Sequence, residues 1–283
     1  MIAYFNGEYM DKEQVRISPD DRGFLFGDGL YEVIRSYRGN LFLGDEHIQR
    51  LNYGARQLRL KDTDFSYLKE VGLELIRKND LEDQDATIYF QVTRGAASRS
   101  HTFPTPAPDL TIYGTAQTFN HKLCREHQEN GISSVTISDN RWARCDMKTT
   151  SLTANVLANQ QAADQGCPEA VLVRDGVLLE GTHSNFMAVV DGTLRTAPLS
   201  NYILGGITRN HVLDLCKKLD IKVEERPVYE RDMARISEMM VVGTTTEVTP
   251  IINLNGTPVG DGIPGPMARR LQKALSQEIQ ALG

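Results

Sequence analysis

From Leu30 to Tyr37 apolar and polar positions alternate, the period-two signature of a strand with one buried face. Arg38-Gly39-Asn40 then supplies turn residues before a second short strand, and an earlier hairpin is predicted around Asn6-Gly7. The period next changes to that of a helix. Ile48, Leu51, Ala55 and Leu58 share one helical face, as do Leu68, Val71, Leu75 and Ile76, and a strand returns over 87–93. The Pro-rich run Phe103 to Pro108 cannot supply the amide donors of an inner strand or a helix interior, so an exposed loop is expected there, followed by a strand over 110–115. Residues 1–116 thus read as a smaller α+β domain.

Residues 117–128 (AQTFNHKLCREH) are only weakly periodic and separate two differently patterned regions, which makes them the expected interdomain linker. Residues 129–283 read as a larger mixed α/β domain. Its elements begin with a strand over 132–137, an irregular basic loop from Arg141 to Lys148, and a helix from Ser151 that ends at Gly166. Strands joined at Asp175-Gly176 and Asp191-Gly192 follow, then a helix over 208–219, a strand over 238–242, a hairpin at Asn255-Gly256 and a helix from Pro266. The fold class is α+β with two domains, which a length of 283 residues accommodates.

Composition narrows the function classes. With 40% hydrophobic and 24% charged residues the chain can bury a sizeable core. Its 31 Lys and Arg against 37 Asp and Glu give a net charge of −6, which argues against nucleic acid as a partner while leaving room for a local anion pocket. The N-terminal stretch has no basic and apolar signal pattern, and no run of about 18 apolar residues occurs, so no membrane association and a cytoplasmic location are expected. The four cysteines form no CxxC pair and the six histidines no ligand spacing, so reduced thiols and no metal are expected.

Gly260-Asp-Gly262-Ile-Pro-Gly265 fits the GxGxxG pattern, but Pro264 interrupts it and no acid follows in a βαβ context. Two other segments have the chemistry of an anion cup. Leu204-Gly-Gly-Ile-Thr208 runs into a helix, so the Ile207 and Thr208 amides are unpaired donors at its positive end, with the Thr208 hydroxyl beside them. Gly243-Thr-Thr-Thr-Glu247 presents hydroxyls and amides where the apolar run 239–242 ends. A helix cap and a polar turn explain each segment equally well in isolation. Arg50 sits at the edge of an apolar helical face, where a solvated arginine is ordinary. Lys148 closes a loop containing Arg141 and Arg144, and a crowd of cations favours the neutral, nucleophilic form of an amine; a surface ion-pair cluster is the alternative. Glu180 follows an apolar strand, where a carboxylate needs a cationic partner.

A loop lysine, a strand-end glutamate, two anion cups and an arginine are together the parts needed to hold pyridoxal phosphate. In order and spacing, Asp21-Arg-Gly-x-x-Phe-Gly-Asp-Gly-x-Tyr31-Glu-Val, His47-Ile-x-Arg50, Tyr89-Phe-Gln-Val-Thr-Arg-Gly95 and Arg141-Trp-x-Arg-Cys-Asp-x-Lys148 resemble the fold-type IV pyridoxal-phosphate aminotransferases. So do Glu180-Gly-x-x-Ser-Asn185, Gly206-Ile-Thr-Arg209 and Thr244-Thr-x-Glu247-x-Thr-Pro250, and within that family the likeness is greatest to the bacterial D-amino-acid aminotransferases. The resemblance implies a cofactor bound at the domain interface and joined to Lys148 as a Schiff base, with Glu180 facing the pyridine nitrogen. It also implies that Arg50, Ile207, Thr208, Thr244 and Thr245 anchor the phosphate and that Leu204 packs behind the ring. Lys148 would then move the proton at the substrate Cα, and amino acid and 2-oxo acid would react in ping-pong order.

By the same resemblance Tyr31, Arg99 and His101 hold the substrate carboxylate, the last two on a loop that reaches the neighbouring active site of a homodimer. Thr182, His183 and Gly205 depart from the pattern of those relatives; His183 is expected to be a surface or core histidine. A branched-chain L-amino-acid aminotransferase and an aminodeoxychorismate lyase of the same fold type are the alternatives. A non-catalytic phosphate-ligand-binding protein would keep the anion cups without covalent chemistry.

Overall fold

A computed structural model describes residues 1–282. The chain divides into two compact units. The first comprises Met1–Phe119, Met147–Leu152 and Leu282; the second comprises Asn120–Asp146 and Thr153–Ala281. The division differs from the sequence-based one in two respects. The unit boundary, between Phe119 and Asn120, falls within residues 117–128, but these finish a strand and enter a helix rather than forming an irregular connection, and a short segment containing Lys148 belongs with the N-terminal unit.

In the first unit β1 (Ile2–Phe5) and β2 (Glu8–Asp11) form the Asn6-Gly7 hairpin, and both turn residues take positive φ. A short helix α1 (Arg22–Phe26) precedes β3 (Gly29–Tyr37) and β4 (Asn40–Leu41). Helices α2 (Gly44–Leu58) and α3 (Leu68–Lys78) lead to β5 (Ala86–Thr93) and β6 (Thr111–Thr118). The strands make one antiparallel sheet in the order β2-β1-β6-β5-β3-β4. Leu30 and Ile34 of β3 and Ile88, Phe90 and Val92 of β5 join Ile48, Leu51, Leu68 and Leu75 of the helices in a core. The strand period of two therefore directs Tyr31 and Tyr89, both half-buried, to the opposite face of the sheet.

In the second unit α4 (His121–Asn130) starts at Asn120, whose side chain accepts the Lys122 amide at 3.0 Å. None of its residues is buried, which is why its apolar periodicity is weak. Next come β7 (Ile132–Ser138), α5 (Thr153–Ala163), β8 (Glu169–Arg174), β9 (Val177–Gly181), β10 (Asn185–Val190) and β11 (Thr193–Thr196). Helix α6 (Ile207–Lys218) is followed by β12 (Val223–Glu225), β13 (Val228–Tyr229), β14 (Ile236–Gly243), β15 (Glu247–Leu254), β16 (Thr257–Pro258) and α7 (Pro266–Gln280).

The ladder runs β10-β14-β15-β7-β8-β9, and β9 pairs back onto β10, which closes the sheet into a six-stranded ring. Strand β10 is buried on both faces, and its run Phe186 to Val190 is accordingly apolar without alternation. The closing pair is Glu180 with Asn185. The charged group of the second unit's conspicuous motif thus sits where the ring shuts.

Candidate active site

Lys148 is positioned by backbone rather than by its loop neighbours. In the first unit the Tyr31 amide donates to the Lys148 carbonyl at 3.0 Å, Thr149 bridges to Leu30, and the Thr150 amide donates to the Gly29 carbonyl at 3.0 Å. The segment is in effect laid along the start of β3. Its consequence is that Lys148 Nζ donates to the Tyr31 hydroxyl at 3.2 Å and lies 4.3 Å from the ring centroid. Among the described residues no carboxylate lies within ion-pair distance of that amine. Tyr31 stacks on Tyr89 at 5.9 Å, and burial beside Tyr31 and Tyr113 pushes the Tyr89 phenol up to about 12, so it stays a donor, here to Gln91 Oε1 at 2.7 Å.

The two arginines expected to crowd Lys148 are each committed elsewhere. Arg144 pairs with Asp146, and Arg141 is buried between Asp139 and Glu180. The loop is therefore not a cluster of free cations, and the physical reason is that each guanidinium has found a carboxylate.

Arg50 is bound to Glu32 through two nitrogens, at 2.7 and 2.8 Å. Glu32 is fully buried, and Arg50 and His47 hold its carboxyl well below the usual carboxylate range, at about 2, against the opposing effect of burial. Burial pushes the His47 imidazole down, so the ring is neutral at neutral pH; its Nδ1, 2.8 Å from Glu32 Oε2, is then the protonated nitrogen. This acid was missed in the sequence reading. An acidic residue on the inward face of an alternating strand was the signal that could have found it.

In the second unit Glu180 accepts from Arg141 through Oε1, and through Oε2 from Asn185 Nδ2 at 2.9 Å and the Leu204 amide at 3.0 Å. Burial outweighs these donors and pushes its carboxyl up to about 7. Asn185 also donates to the Leu204 carbonyl at 2.8 Å, so both polar groups of the Leu204 backbone are tied to the ring closure. Gly206 is required beside it: a Cβ there would come 1.9 Å from Asn185 Oδ1. Arg141 and Asn185 were likewise missed as partners of Glu180, because their proximity arises from the folding of the sheet and not from spacing.

Ile207 and Thr208 open α6, whose N-cap Gly206 offers no side-chain acceptor, so the first amides of the helix remain donors. Thr244 and Thr245 lie in the turn between β14 and β15, and the buried Thr246 hydroxyl has no hydrogen-bond partner there. Glu169 fixes the loop bearing the two departures from the family pattern. It is buried and accepts the Thr182 amide at 2.9 Å and the Ser184 hydroxyl at 2.7 Å, while His183 is half-exposed with Nδ1 3.3 Å from Glu169.

Arg99 and His101 are exposed in the first unit, gathered on Phe26 at 5.3 and 5.6 Å. They make no hydrogen bond or ring contact with Tyr31 or Lys148 among the described residues. Within one chain, then, Lys148 and Tyr31 are brought together and the Arg99/His101 pair is not joined to them.

No group of three or more His, Cys, Asp or Glu among the described residues is placed to hold a metal, and no described helix is long and apolar enough to cross a membrane.

An aminotransferase class is what a lysine with no carboxylate partner among the described residues, a buried donor-clad glutamate and two anion cups on this fold define. The model of the class IV aminotransferases matches residues 29–254, and the chain belongs to that family. It is 40% identical over 281 residues to the D-alanine aminotransferase of Bacillus licheniformis, covering 99% of this chain and 97% of that one. The branched-chain amino acid aminotransferase of Escherichia coli superposes with a TM-score of 0.90 at 27% identity, covering 98% of this chain and 93% of that one. A hypothetical aminotransferase of Mycobacterium tuberculosis in its PLP-bound form shares the fold, with a TM-score of 0.82 at 20% identity over 98% of this chain and 100% of that one.

The residues present fit pyridoxal phosphate. Lys148 offers an amine that has no carboxylate partner among the described residues. A carboxylate has about four acceptor sites and the donors around Glu180 occupy three, leaving one for a protonated ring nitrogen. The orphaned Thr246 hydroxyl and the uncapped amides of α6 suit a phosphate.

Proposed function

We propose that this chain is a pyridoxal-phosphate-dependent aminotransferase that removes the amino group of a D-amino acid such as D-alanine and passes it to a 2-oxo acid such as 2-oxoglutarate. The observation that carries the chemistry is the Lys148 amine seated on the Tyr31 hydroxyl with no carboxylate among the described residues to hold it as an ion pair. Similarity over almost the whole chain to a D-alanine aminotransferase supports the choice of substrate.

When bound, pyridoxal phosphate supplies a carbonyl carbon that accepts amines and a ring that withdraws electrons from the substrate Cα. Lys148 would hold the cofactor through its Nζ, and the same nitrogen is the group that would carry the proton at the substrate Cα. Tyr31 holds that nitrogen in one orientation through the 3.2 Å hydrogen bond. Glu180 would face a protonated ring nitrogen, whose positive charge draws the carboxyl back below about 7 and keeps it anionic, and Arg141, Asn185 and the Leu204 amide keep it in one position. Leu204 would supply an apolar side chain to the face of the ring. Arg50, immobilised by Glu32, binds the phosphate together with Ile207, Thr208, Thr244 and Thr245.

Tyr31, Arg99 and His101 bind the substrate carboxylate, with Arg99 and His101 supplied to the neighbouring subunit of a homodimer. Their exposure in the single chain supports this assignment. Fixing the carboxylate decides which face of the Cα–H bond meets Lys148, and hence the enantiomer used. The fold shared with a branched-chain aminotransferase makes an L-amino acid the second reading. Separate half-reactions with D-alanine and L-leucine decide between them: loss of the bound cofactor's absorption band with D-alanine is expected, and loss with L-leucine alone refutes the assignment.

A further inference from the structure

No residue from Ala96 to Asp109 is buried, so the segment carrying Arg99 and His101 takes no order from a hydrophobic core. Its base is closed by backbone: the Arg22 amide donates to the Gly95 carbonyl at 2.9 Å and the Ala97 amide to the Asp20 carbonyl at 3.2 Å. Gly95 has φ +88°, and a Cβ there would come 1.9 Å from the Asp109 carbonyl oxygen, so only glycine lets the two ends meet.

Further out, side chains do the holding. Arg22, buried on α1, donates through Nη1 to the carbonyl of Ser100 at 2.6 Å, the residue between Arg99 and His101. Asp28 fixes Arg22 through Nε at 2.9 Å and also binds Arg94 at 2.7 and 3.0 Å. Arg94 in turn covers the Phe103 ring at 3.8 Å, with Arg59 5.5 Å from the same ring. Phe26, one turn beyond Arg22, meets Arg22, Arg99 and His101 together.

We propose that Arg22 and Phe103 are positioning residues that pin the loop on either side of His101, so that the carboxylate-binding pair is presented already ordered. The inference rests on the reading of Arg99 and His101 given above. It also accounts for two parts of the sequence pattern that the chemistry itself leaves unused, Asp21-Arg-Gly-x-x-Phe-Gly-Asp28 and Thr93-Arg-Gly95. A loop that is competent only part of the time lowers apparent affinity by that fraction and leaves the reaction of the bound complex alone.

The test uses holoenzyme and the half-reaction with D-alanine, following the cofactor band, together with amide hydrogen exchange over 96–103. Phe103→Ala, at a half-exposed side chain, and Arg22→Lys are each expected to raise the apparent dissociation constant about tenfold, with the limiting rate constant and cofactor content unchanged and loop exchange accelerated. Combined with Arg99→Ala, Phe103→Ala is expected to add less than about twofold, since both act through one contact. Unchanged dissociation constants in both variants, while Arg99→Ala raises its own, overturn the inference. An unchanged constant in Arg99→Ala overturns the carboxylate reading beneath it.

Discussion

Replacing Glu180 with glutamine tests the electronic role assigned to the ring closure. The amide nitrogen must face either one donor, Arg141 Nη1, or two, Asn185 Nδ2 and the Leu204 amide, so the side chain turns its nitrogen towards Arg141. That contact is lost at a cost of about 1–3 kcal/mol. Arg141 nevertheless keeps Asp139, which it meets through Nε at 2.8 Å and Nη2 at 3.1 Å, so the fold survives. Towards the ring nitrogen, a neutral amide replaces an anion. A charge-assisted hydrogen bond is roughly twice as strong as a neutral one, a difference of about 1–1.5 kcal/mol that corresponds to a rate about 5–12 times slower. Glu180→Gln should therefore retain a full complement of cofactor but lose its band that much more slowly when mixed with D-alanine, with a larger isotope effect for Cα-deuterated substrate. Equal single-turnover rate constants for the variant and the wild type would refute the reasoning.

Glu32 has a folded value of about 2 against an ordinary 4.5, so the stability it contributes is present above about pH 4.5 and is lost as the pH falls towards 2. At about 1.4 kcal/mol per unit the full loss is about 3 kcal/mol, and denaturant titrations between pH 5 and 2 should show a slope that Glu32→Gln flattens. Gly206→Ala places a methyl on Asn185 Oδ1 and should loosen both the ring closure and the start of α6; a lowered melting temperature and weaker retention of cofactor are expected, and an unchanged protein would remove Gly206 from the account.

Periodicity in the sequence located β3 and β5 of the first unit within a residue, and the apolar faces of its two longer helices, because those patterns are long and regular. It failed at His121–Asn130, where a helix with no buried face leaves no stripe to detect. It also missed α1, a helix of five residues. Backbone pairing was invisible: nothing in the spacing of Lys148 announces that it lies along Gly29–Tyr31, and nothing in Glu180 that Asn185 closes the ring on it. The motifs fared better than their physical explanation. Arg141 and Lys148 occupy one loop in the sequence, yet Arg141 serves a buried carboxylate while Lys148 is left without one.

The central claim is that Lys148, and no other lysine, carries the cofactor. Reduction of the holoenzyme with borohydride, followed by proteolysis and mass spectrometry, should place the phosphopyridoxyl group on the peptide containing Lys148, and Lys148→Ala should yield no adduct and no transamination of D-alanine. A stable adduct on a different lysine, or full turnover by the alanine variant, would contradict the account.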